Sequence, residues 1–382
     1  MNRIKVLSVF GTRPEAIKMA PLVKELQGAE NIESFCCVTG QHREMLDSVM
    51  DIFQLKADFD LNIMEKSQTL STITTKTLIG MDRVIDEVRP DIILVHGDTS
   101  TAFSGALSAF YHRVPVGHVE AGLRTWDKYS PYPEEINRTL IGDIAELHFS
   151  PTLSNASNLQ REGIAKNVFI TGNTAIDAMR YTVSEDYHFQ NDVLNELDFE
   201  NKRIIAVTCH RRENYGKPME DIMRAIAQIV RSHDDVEVVY PVHLSPVVRE
   251  CANKYLADVP GVHLIDPIDV LEMHNLIAKC YMVMTDSGGL QEEAPALGKP
   301  VLVMRKETER PEAIAAGTVR LAGVAYDDIV SMADELLSCH DTYASMAKAV
   351  NPYGDGWASK RIVQAILYHF GLASEAPSNF NI

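Results

Sequence analysis

The stretch DIILVHGDTSTAFSGALSAFYHRVPVGHVE, residues 91–120, indicates the fold class of this chain. It contains a continuous apolar run at 91–97, a helical pattern at 99–112 and a second apolar run at 115–120. Continuous apolar runs are typical of parallel strands that helices cover on both faces. A strand, a helix and a strand in this order predict a β-α-β unit.

The same alternation continues through the rest of the chain. The first half holds further strand candidates at 4–10, 34–39, 147–151 and 168–173. Helical patterns lie between them at 14–27, 69–88 and 152–162. After a polar stretch, a second set of strand candidates follows at 203–210, 236–243, 262–267, 281–286 and 300–305.

Two sequential domains fit a chain of 382 residues, because a typical domain has about 100–150 residues. We predict an α/β fold of two Rossmann-like, doubly wound domains, at 1–175 and 176–355. An amphipathic pattern at about 356–372 predicts a last helix. Its periodicity leaves open whether this helix caps the second domain or crosses back to the first.

The net charge and the lengths of the apolar runs argue against nucleic-acid and membrane partners. It carries 53 acidic against 36 basic residues, a net charge of −17, whereas nucleic-acid and anionic-membrane surfaces need a basic face. No apolar run reaches membrane-spanning length, and six scattered cysteines show no metal spacing. The N-terminal apolar run stops at Gly11, too short for a secretory signal. We expect a soluble, cytoplasmic protein without nucleic-acid or membrane partners.

Several common cofactor signatures are absent from the sequence. FGTRPEAIK, residues 10–18, lacks the P-loop pattern, and no G-x-G-x-x-G follows a strand. A zinc-binding cluster and a G-x-S-x-G nucleophile elbow are also missing. Asp58-Phe59-Asp60 has the D-x-D form of some metal-binding enzymes, but a turn or a strand edge is its expected role. We therefore expect no cofactor and no metal.

Basic residues follow the first strand, and ligands of open α/β sheets bind outside the carboxyl ends of the strands. Strand 4–10 leads into Gly11-Thr12-Arg13, and Pro14 suits the first turn of a helix. Arg13 and Lys18 would flank this helix start and form an anion site. We favour that interpretation over charges that are merely solvated at a loop.

Three carboxylates are predicted to converge in the first domain. Asp98 follows one strand, Glu120 ends the next, and Glu134 opens a helix that also carries Arg138. A helix cap is an equal alternative for Asp98, as is a favourable first-turn charge for Glu134. Carboxylates that share a poorly solvated cleft acquire raised pKa values, as general acids and bases require.

In the second domain, basic residues again follow the predicted strands. His210 and Arg211 lie at one strand end, His243 lies at the next, and Arg310 follows a third. A single histidine at a strand end is more often structural than catalytic. His210 is the better catalytic candidate because two arginines follow it, although their charges would lower its pKa.

The phrase TDSGGLQEEAPALGKP, residues 285–300, predicts a nucleotide site. Its turn, Ser287-Gly288-Gly289, lies between a strand and a helix and lets backbone N–H groups approach a phosphate closely. Glu293 lies one helical turn further on the same face and could accept hydrogen bonds from a ribose diol. Glu292 receives no role from the sequence.

Six phrases taken together resemble one known family: GTRPEAIKMAPL, HGDT, GHVEAGLRT, SPYPEEINR, HRREN and TDSGGLQEEAPALGKPVLVMR. The family is the non-hydrolysing bacterial UDP-N-acetylglucosamine 2-epimerases, and the resemblance runs from about residue 4 to about residue 370. It implies a glycosyltransferase B type of fold, in which two domains face a cleft that holds the substrate. It also implies a homodimer, and a last helix that packs back on the first domain.

The resemblance further implies roles for individual residues. The implied active-site set is Arg13, Lys18, Asp98, Glu120, Glu134 and His210. The implied UDP site is Ser287, Gly288, Gly289, Glu293 and Arg310, with Ile268 and Met273 near the uracil and Arg138 among the substrate-binding residues. Some family members bind a second substrate molecule as an activator, for which Gln41, Arg211 and His243 are candidates. Ser67 stands where a basic residue would help that site.

The implied reaction interconverts UDP-N-acetylglucosamine and UDP-N-acetylmannosamine, which would supply cell-surface polysaccharide synthesis. The C2 proton is not adjacent to a carbonyl, so elimination of UDP to 2-acetamidoglucal and re-addition is the favoured route. The alternatives are a glycosyltransferase or a hydrolysing epimerase that uses the same UDP-sugar. A catalytically silent UDP-sugar-binding regulator is a further alternative, although it would not need three strand-end carboxylates.

Overall fold

The computed structural model describes residues 3–40, 43–65 and 68–380. The chain forms two compact units. The first contains the chain up to Tyr181 and again from Tyr353, and the second is Thr182–Pro352. Within the described ranges, no helix is both long and apolar enough to cross a membrane.

The first unit is built on a seven-stranded sheet whose neighbouring strands run parallel. Its strands are β1 (Ile4–Phe10), β2 (Ile32–Val38), β3 (Phe59–Asp60), β4 (Ile92–His96), β5 (Val116–Val119), β6 (Leu147–Ser150) and β7 (Val168–Ile170). Its helices are α1 (Arg13–Gly28), α2 (Arg43–Ile52), α3 (Leu70–Val88), α4 (Ser100–Tyr111), α5 (Glu134–Ile144), α6 (Leu153–Arg161) and α7 (Thr174–Thr182). The spatial order β3-β2-β1-β4-β5-β6-β7 places a topological switch point between β1 and β4.

The second unit repeats this plan with six parallel strands. They are β8 (Arg203–Thr208), β9 (Val236–Pro241), β10 (Val262–Ile265), β11 (Met282–Thr285), β12 (Val301–Val303) and β13 (Val319–Leu321). The helices are α8 (Asp192–Glu196), α9 (Lys217–Ser232), α10 (Pro246–Leu256), α11 (Val270–Lys279), α12 (Leu290–Ala296), α13 (Pro311–Ala315), α14 (Tyr326–Ser338) and α15 (His340–Ala347). The order β10-β9-β8-β11-β12-β13 places the switch point between β8 and β11.

Each unit has its own apolar core, formed by strand residues and the helices packed on them. Val6 of β1 and Val207 of β8 are fully buried, as expected for strands covered on both faces. The last helix, α16 (Ala358–His369), adds Ile362 and Ile366 to the cluster that contains Met19 of α1. The predicted fold class, an α/β chain with two Rossmann-like, doubly wound domains, is confirmed.

Candidate active site

Asp98 follows β4, at the switch point of the first sheet. The side chain of Thr99, and not that of Asp98, caps α4, because Thr99 Oγ1 accepts a hydrogen bond from Ala102 N at 3.0 Å. Asp98 Oδ2 instead accepts a hydrogen bond from Arg138 Nη2 at 2.5 Å. The alternative of a capping role for Asp98 is therefore wrong, and the aspartate is left in an ion pair beside the strand end.

The electrostatics of Asp98 involve both of the other predicted carboxylates. Burial raises the pKa of Asp98, the charge of Arg138 opposes the increase, and the charges of Glu120 and Glu134 add to it. The Asp98 carboxyl is thus held near to two like charges and one opposite charge. A carboxyl group with a raised pKa is suited to exchange a proton with a substrate.

Glu120 occupies an unusual backbone position directly after β5. Its φ of 64° lies in the left-handed region, which non-glycine residues rarely adopt. The carboxylate forms an ion pair with Lys18 and accepts a hydrogen bond from Asn173 Nδ2 at 3.3 Å. The structure therefore joins two predicted site residues, Lys18 and Glu120, in direct contact.

His96, at the end of β4, faces the same carboxylate. Its Nε2 lies 3.8 Å from Glu120 Oε2, and no hydrogen-bond partner of that nitrogen is present among the described residues. Burial lowers the pKa of His96 to about 4; the charge of Glu120 opposes this decrease and that of Lys18 adds to it. The imidazole is consequently neutral at physiological pH. The sequence did not single out His96, although it immediately precedes the Gly-Asp pair.

Glu15, which the sequence argument missed, connects the loops that carry Arg13 and Asp98. Its Oε2 accepts hydrogen bonds from Gly11 N at 3.0 Å and Thr12 N at 2.8 Å. Its Oε1 accepts one from Thr99 Oγ1 at 2.6 Å. The Thr-x-x-Glu spacing of a capping box, residues 12–15, was the signal that could have identified it. The half-buried Arg13 is the first residue of α1, so Glu15 fixes the turn from which it projects.

In the second unit, His210 follows β8 and is held by a buried aspartate. Asp286 Oδ2 accepts hydrogen bonds from the backbone N–H groups of His210 and Arg211, both at 2.8 Å. Asp286 Oδ1 lies 3.4 Å from His210 Nδ1. Asp286 is fully buried, so its carboxylate is fixed at the switch point of the second sheet. The sequence argument assigned no role to Asp286.

His243, from the end of β9, stacks on His210. The two ring centroids are 5.4 Å apart and the planes differ by 12°. Burial lowers the pKa of His210; the charge of Asp286 opposes the decrease, and those of His243 and Arg211 add to it. The structure thus brings together three of the predicted residues, His210, Arg211 and His243, around Asp286.

Two guanidinium groups converge on the Ser287-Gly288-Gly289 turn. A Cβ atom at Gly288 would lie 3.7 Å from Arg211 Nη2 and 3.8 Å from Arg310 Nη2. Both guanidinium groups therefore lie within van der Waals contact of the space beside Gly288. Because α12 has only seven residues, these two guanidinium groups, rather than the helix, provide the positive charge. The arrangement suits a diphosphate.

The comparison with known proteins agrees with this geometry. Residues 24–367 match the model of a protein family described as UDP-N-acetylglucosamine 2-epimerase. The chain belongs to this family.

Relatives within the UDP-N-acetylglucosamine 2-epimerase family align along almost the whole chain. The enzyme of that name from Bacillus subtilis is 55% identical over 381 residues, covering 100% of this chain and 99% of the relative. The one from Escherichia coli K12 is 52% identical, covering 95% of this chain and 98% of the relative. A crystal structure of UDP-GlcNAc 2-epimerase from Neisseria meningitidis, bound to UDP-GlcNAc, is 45% identical with a TM-score of 0.85. The alignment covers 96% of this chain and 100% of the chain in that structure.

The remaining predicted residues lie apart from the two clusters of contacts described above. Ile268 and Met273 occupy the N′ and N4 positions of α11, which Asp269 caps, so both lie at one end of that helix. Gln41 and Ser67 lie outside the described residues. The D-x-D pair lies at the edge strand β3, where Asp58 and Asp60 accept hydrogen bonds from Cys36 N and Asn62 N. Within the described part of the chain, no group of three or more His, Cys, Asp or Glu could hold a metal ion.

Proposed function

We propose that this chain catalyses the reversible C2 epimerisation of UDP-N-acetylglucosamine to UDP-N-acetylmannosamine. The observation that carries the proposal is the carboxylate group at the strand ends of the first unit. Asp98 follows β4 and Glu120 follows its neighbour β5. The charges of Glu120 and Glu134 both raise the pKa of Asp98. Membership of the epimerase family supports the same reaction.

The proposed chemistry is elimination and re-addition. Loss of the C2 proton to a carboxylate and departure of UDP from C1 convert the sugar to 2-acetamidoglucal. UDP then re-adds at C1 while a proton is delivered to the opposite face of C2, so atoms and electrons balance without a net redox change. Positive charge that develops at C1 is stabilised by nearby carboxylates, as in glycoside hydrolysis.

We assign the proton transfers to Asp98, Glu120 and Glu134. Lys18 forms an ion pair with Glu120. The Arg138 guanidinium donates to Asp98 Oδ2, and its charge opposes the rise in the pKa of Asp98 that burial causes. Removal of either cation would therefore change the proton affinity of a proposed acid or base.

We assign the binding of the leaving diphosphate to the second unit. Arg310 and the Ser287-Gly288-Gly289 turn would hold the phosphates, and Glu293 would accept from the ribose. His210 assists at the sugar or the diphosphate. Each well-aimed donor in a site that excludes water is worth roughly 3–4 kcal/mol of transition-state stabilisation.

The remaining expectations rest on the family resemblance. We propose a cytoplasmic homodimer that supplies N-acetylmannosamine units for cell-surface polysaccharide. Arg211 and His243 are proposed to take part in activation by a second substrate molecule. A sigmoidal dependence of the initial rate on UDP-N-acetylglucosamine concentration would support that activation.

One experiment tests the proposed reaction. The protein is incubated with UDP-N-acetylglucosamine in D₂O, without an acceptor or NAD, and followed by NMR. Formation of UDP-N-acetylmannosamine with deuterium at C2 supports the epimerase. Release of free N-acetylmannosamine indicates a hydrolysing epimerase. No reaction until an acceptor is added indicates a glycosyltransferase.

A further inference from the structure

Three consecutive side chains of α12 each contact a different residue. Gln291 Oε1 accepts a hydrogen bond from Thr308 Oγ1 at 2.5 Å. Glu292 Oε1 accepts one from Arg310 Nε. Glu293 Oε2 lies 3.5 Å from Nε2 of the buried His274. Two of the three side chains are thus directed to the loop between β12 and α13.

The Glu292 carboxylate is deeply buried, with its side chain 4% exposed, against 18% for that of Arg310. A carboxylate at this depth needs a fixed partner, because an unpaired buried charge is strongly destabilising. Arg310 is that partner, and it is bound through Nε at the inner edge of the guanidinium group. The ion pair therefore fixes the rotamer of Arg310 as well as balancing charge.

The terminal nitrogens of Arg310 lie near the glycine turn and the backbone of their own loop. Nη2 lies 3.8 Å from the position that a Cβ atom on Gly288 would take, and Nη1 donates to Glu309 O at 3.3 Å. Thr308 Oγ1 also accepts from Arg310 N at 3.1 Å, so the backbone is held by the residue that Gln291 binds. Both the main chain and the side chain of Arg310 are consequently anchored on α12.

We propose that Glu292 is a positioning residue for the diphosphate: it holds Arg310 through Nε so that its Nη edge faces the Gly288 turn before the ligand arrives. An arginine that is already ordered loses less rotamer entropy when it binds a phosphate. This inference rests on the proposed UDP site and explains the adjacent carboxylates, since Glu292 organises the phosphate side and Glu293 remains for the ribose.

The test compares UDP with uridine, which lacks the phosphates, by isothermal titration calorimetry. Glu292→Gln keeps the shape of the side chain and removes the charge. Glu292→Asp keeps the charge but shortens the side chain, which moves the carboxylate oxygen away from Arg310 Nε. We expect both variants to bind UDP about tenfold more weakly and uridine as tightly as the wild type. In an Arg310→Ala background, Glu292→Gln should cause no further loss of UDP affinity.

Glu307→Gln is the matched control, because Glu307 lies in the same loop at an exposed position. Its UDP-to-uridine affinity ratio should equal that of the wild type. An unchanged or increased UDP affinity in the Glu292 variants would overturn the proposal, as would an equal loss of UDP and uridine binding. If the wild type itself bound UDP no better than uridine, the proposed UDP site would fail, independently of Glu292.

Discussion

At the level of single residues, Asp286 orients His210 in two ways. Its Oδ2 accepts hydrogen bonds from the backbone N–H groups of His210 and Arg211, and its Oδ1 faces His210 Nδ1. A proton on Nδ1 would be directed towards Asp286, which leaves the Nε2 lone pair for a ligand. The tautomer of a proposed active-site histidine thus depends on a carboxylate that is fully buried.

We predict that Asp286→Asn lowers kcat at least tenfold and lowers the pKa of His210. The pKa should fall because the charge of Asp286 opposes the decrease that burial causes. An NMR titration of the His210 ring and steady-state kinetics measure the two effects. Asp266→Asn, which removes a largely exposed carboxylate paired with Arg249, should change neither. A variant with lower kcat but an unchanged His210 pKa would contradict the orienting role.

The three proposed catalytic carboxylates make a separate residue-level prediction. Asp98→Asn, Glu120→Gln and Glu134→Gln should each lower kcat by about 10²–10⁴, the usual contribution of a general acid or base. The affinity for UDP should stay near the wild-type value, because the proposed UDP residues belong to the second unit. Glu146→Gln, at an exposed position, is the control. Near-normal turnover in all three variants would refute the assignment.

At the level of elements, three adjacent strands of the first sheet bury histidines. His96, His118 and His148 lie on β4, β5 and β6, and each is at most 3% exposed. Burial lowers the pKa of His118 to about 3 and those of His96 and His148 to about 4. His118 Nε2 lies 2.7 Å from Gly97 O and, as the neutral donor, holds the loop before Asp98.

These histidines predict a loss of stability in mild acid. An unfolded histidine binds a proton near pH 6.5 whereas the folded ones do not, so the free energy of unfolding falls as pH decreases from about 6.5 towards 4. Each group contributes up to about 1.4 kcal/mol per pH unit. In urea denaturation, His118→Gln should reduce the decrease between pH 6.5 and 5 by roughly 1–2 kcal/mol. The exposed control, His340→Gln, should retain the wild-type slope, and a slope unchanged in His118→Gln would contradict the argument.

The bounds of the strands show which parts of the fold could be predicted from the sequence. Long apolar runs such as 4–10 predicted β1 with its observed bounds, because buried parallel strands carry a strong local signal. The two-residue β3 and the three-residue β13 are too short to give periodicity and are defined by pairing with β2 and β12. Predicted strands 91–97 and 115–120 end earlier, at His96 and Val119, since Gly97 and Glu120 both adopt positive φ.

Residues of the candidate site could be predicted where they directly follow a strand. Residues that hold another site residue in place by a hydrogen bond could not. Asp98 and His210 were identified from their places after β4 and β8. Asp286 and Glu292 were not assigned roles, because their hydrogen bonds are made to residues that lie 18 to 76 positions away along the chain. Glu15 was missed although its capping-box spacing is a local signal. Glu292 and Arg310, for example, are 18 positions apart and meet only in the folded second unit.

At the scale of the whole molecule, the chain leaves the first unit at Tyr181 and returns to it at Tyr353. The returning segment is held by buried polar contacts as well as by the apolar face of α16. Asp177 accepts hydrogen bonds from Ala358 N at 3.0 Å and Ser359 N at 2.7 Å, which ties the start of α16 to α7. The first unit is therefore complete only when the last part of the chain has been made.

This arrangement predicts which unit a mutation in α16 destabilises. Ile362 and Ile366 are fully buried in the first unit's core, so Ile→Ala at either should cost about 2–5 kcal/mol through lost burial and a residual cavity. Hydrogen exchange followed by mass spectrometry should show faster exchange in β1 and β4, which are distant in sequence, and unchanged exchange in β8 and β11. Tyr368→Ala, at an exposed position of the same helix, should leave all four strands protected. Residues 182–352 contribute nothing to that core cluster. Faster exchange in β8 rather than in β1 would therefore contradict the prediction that α16 stabilises the first unit.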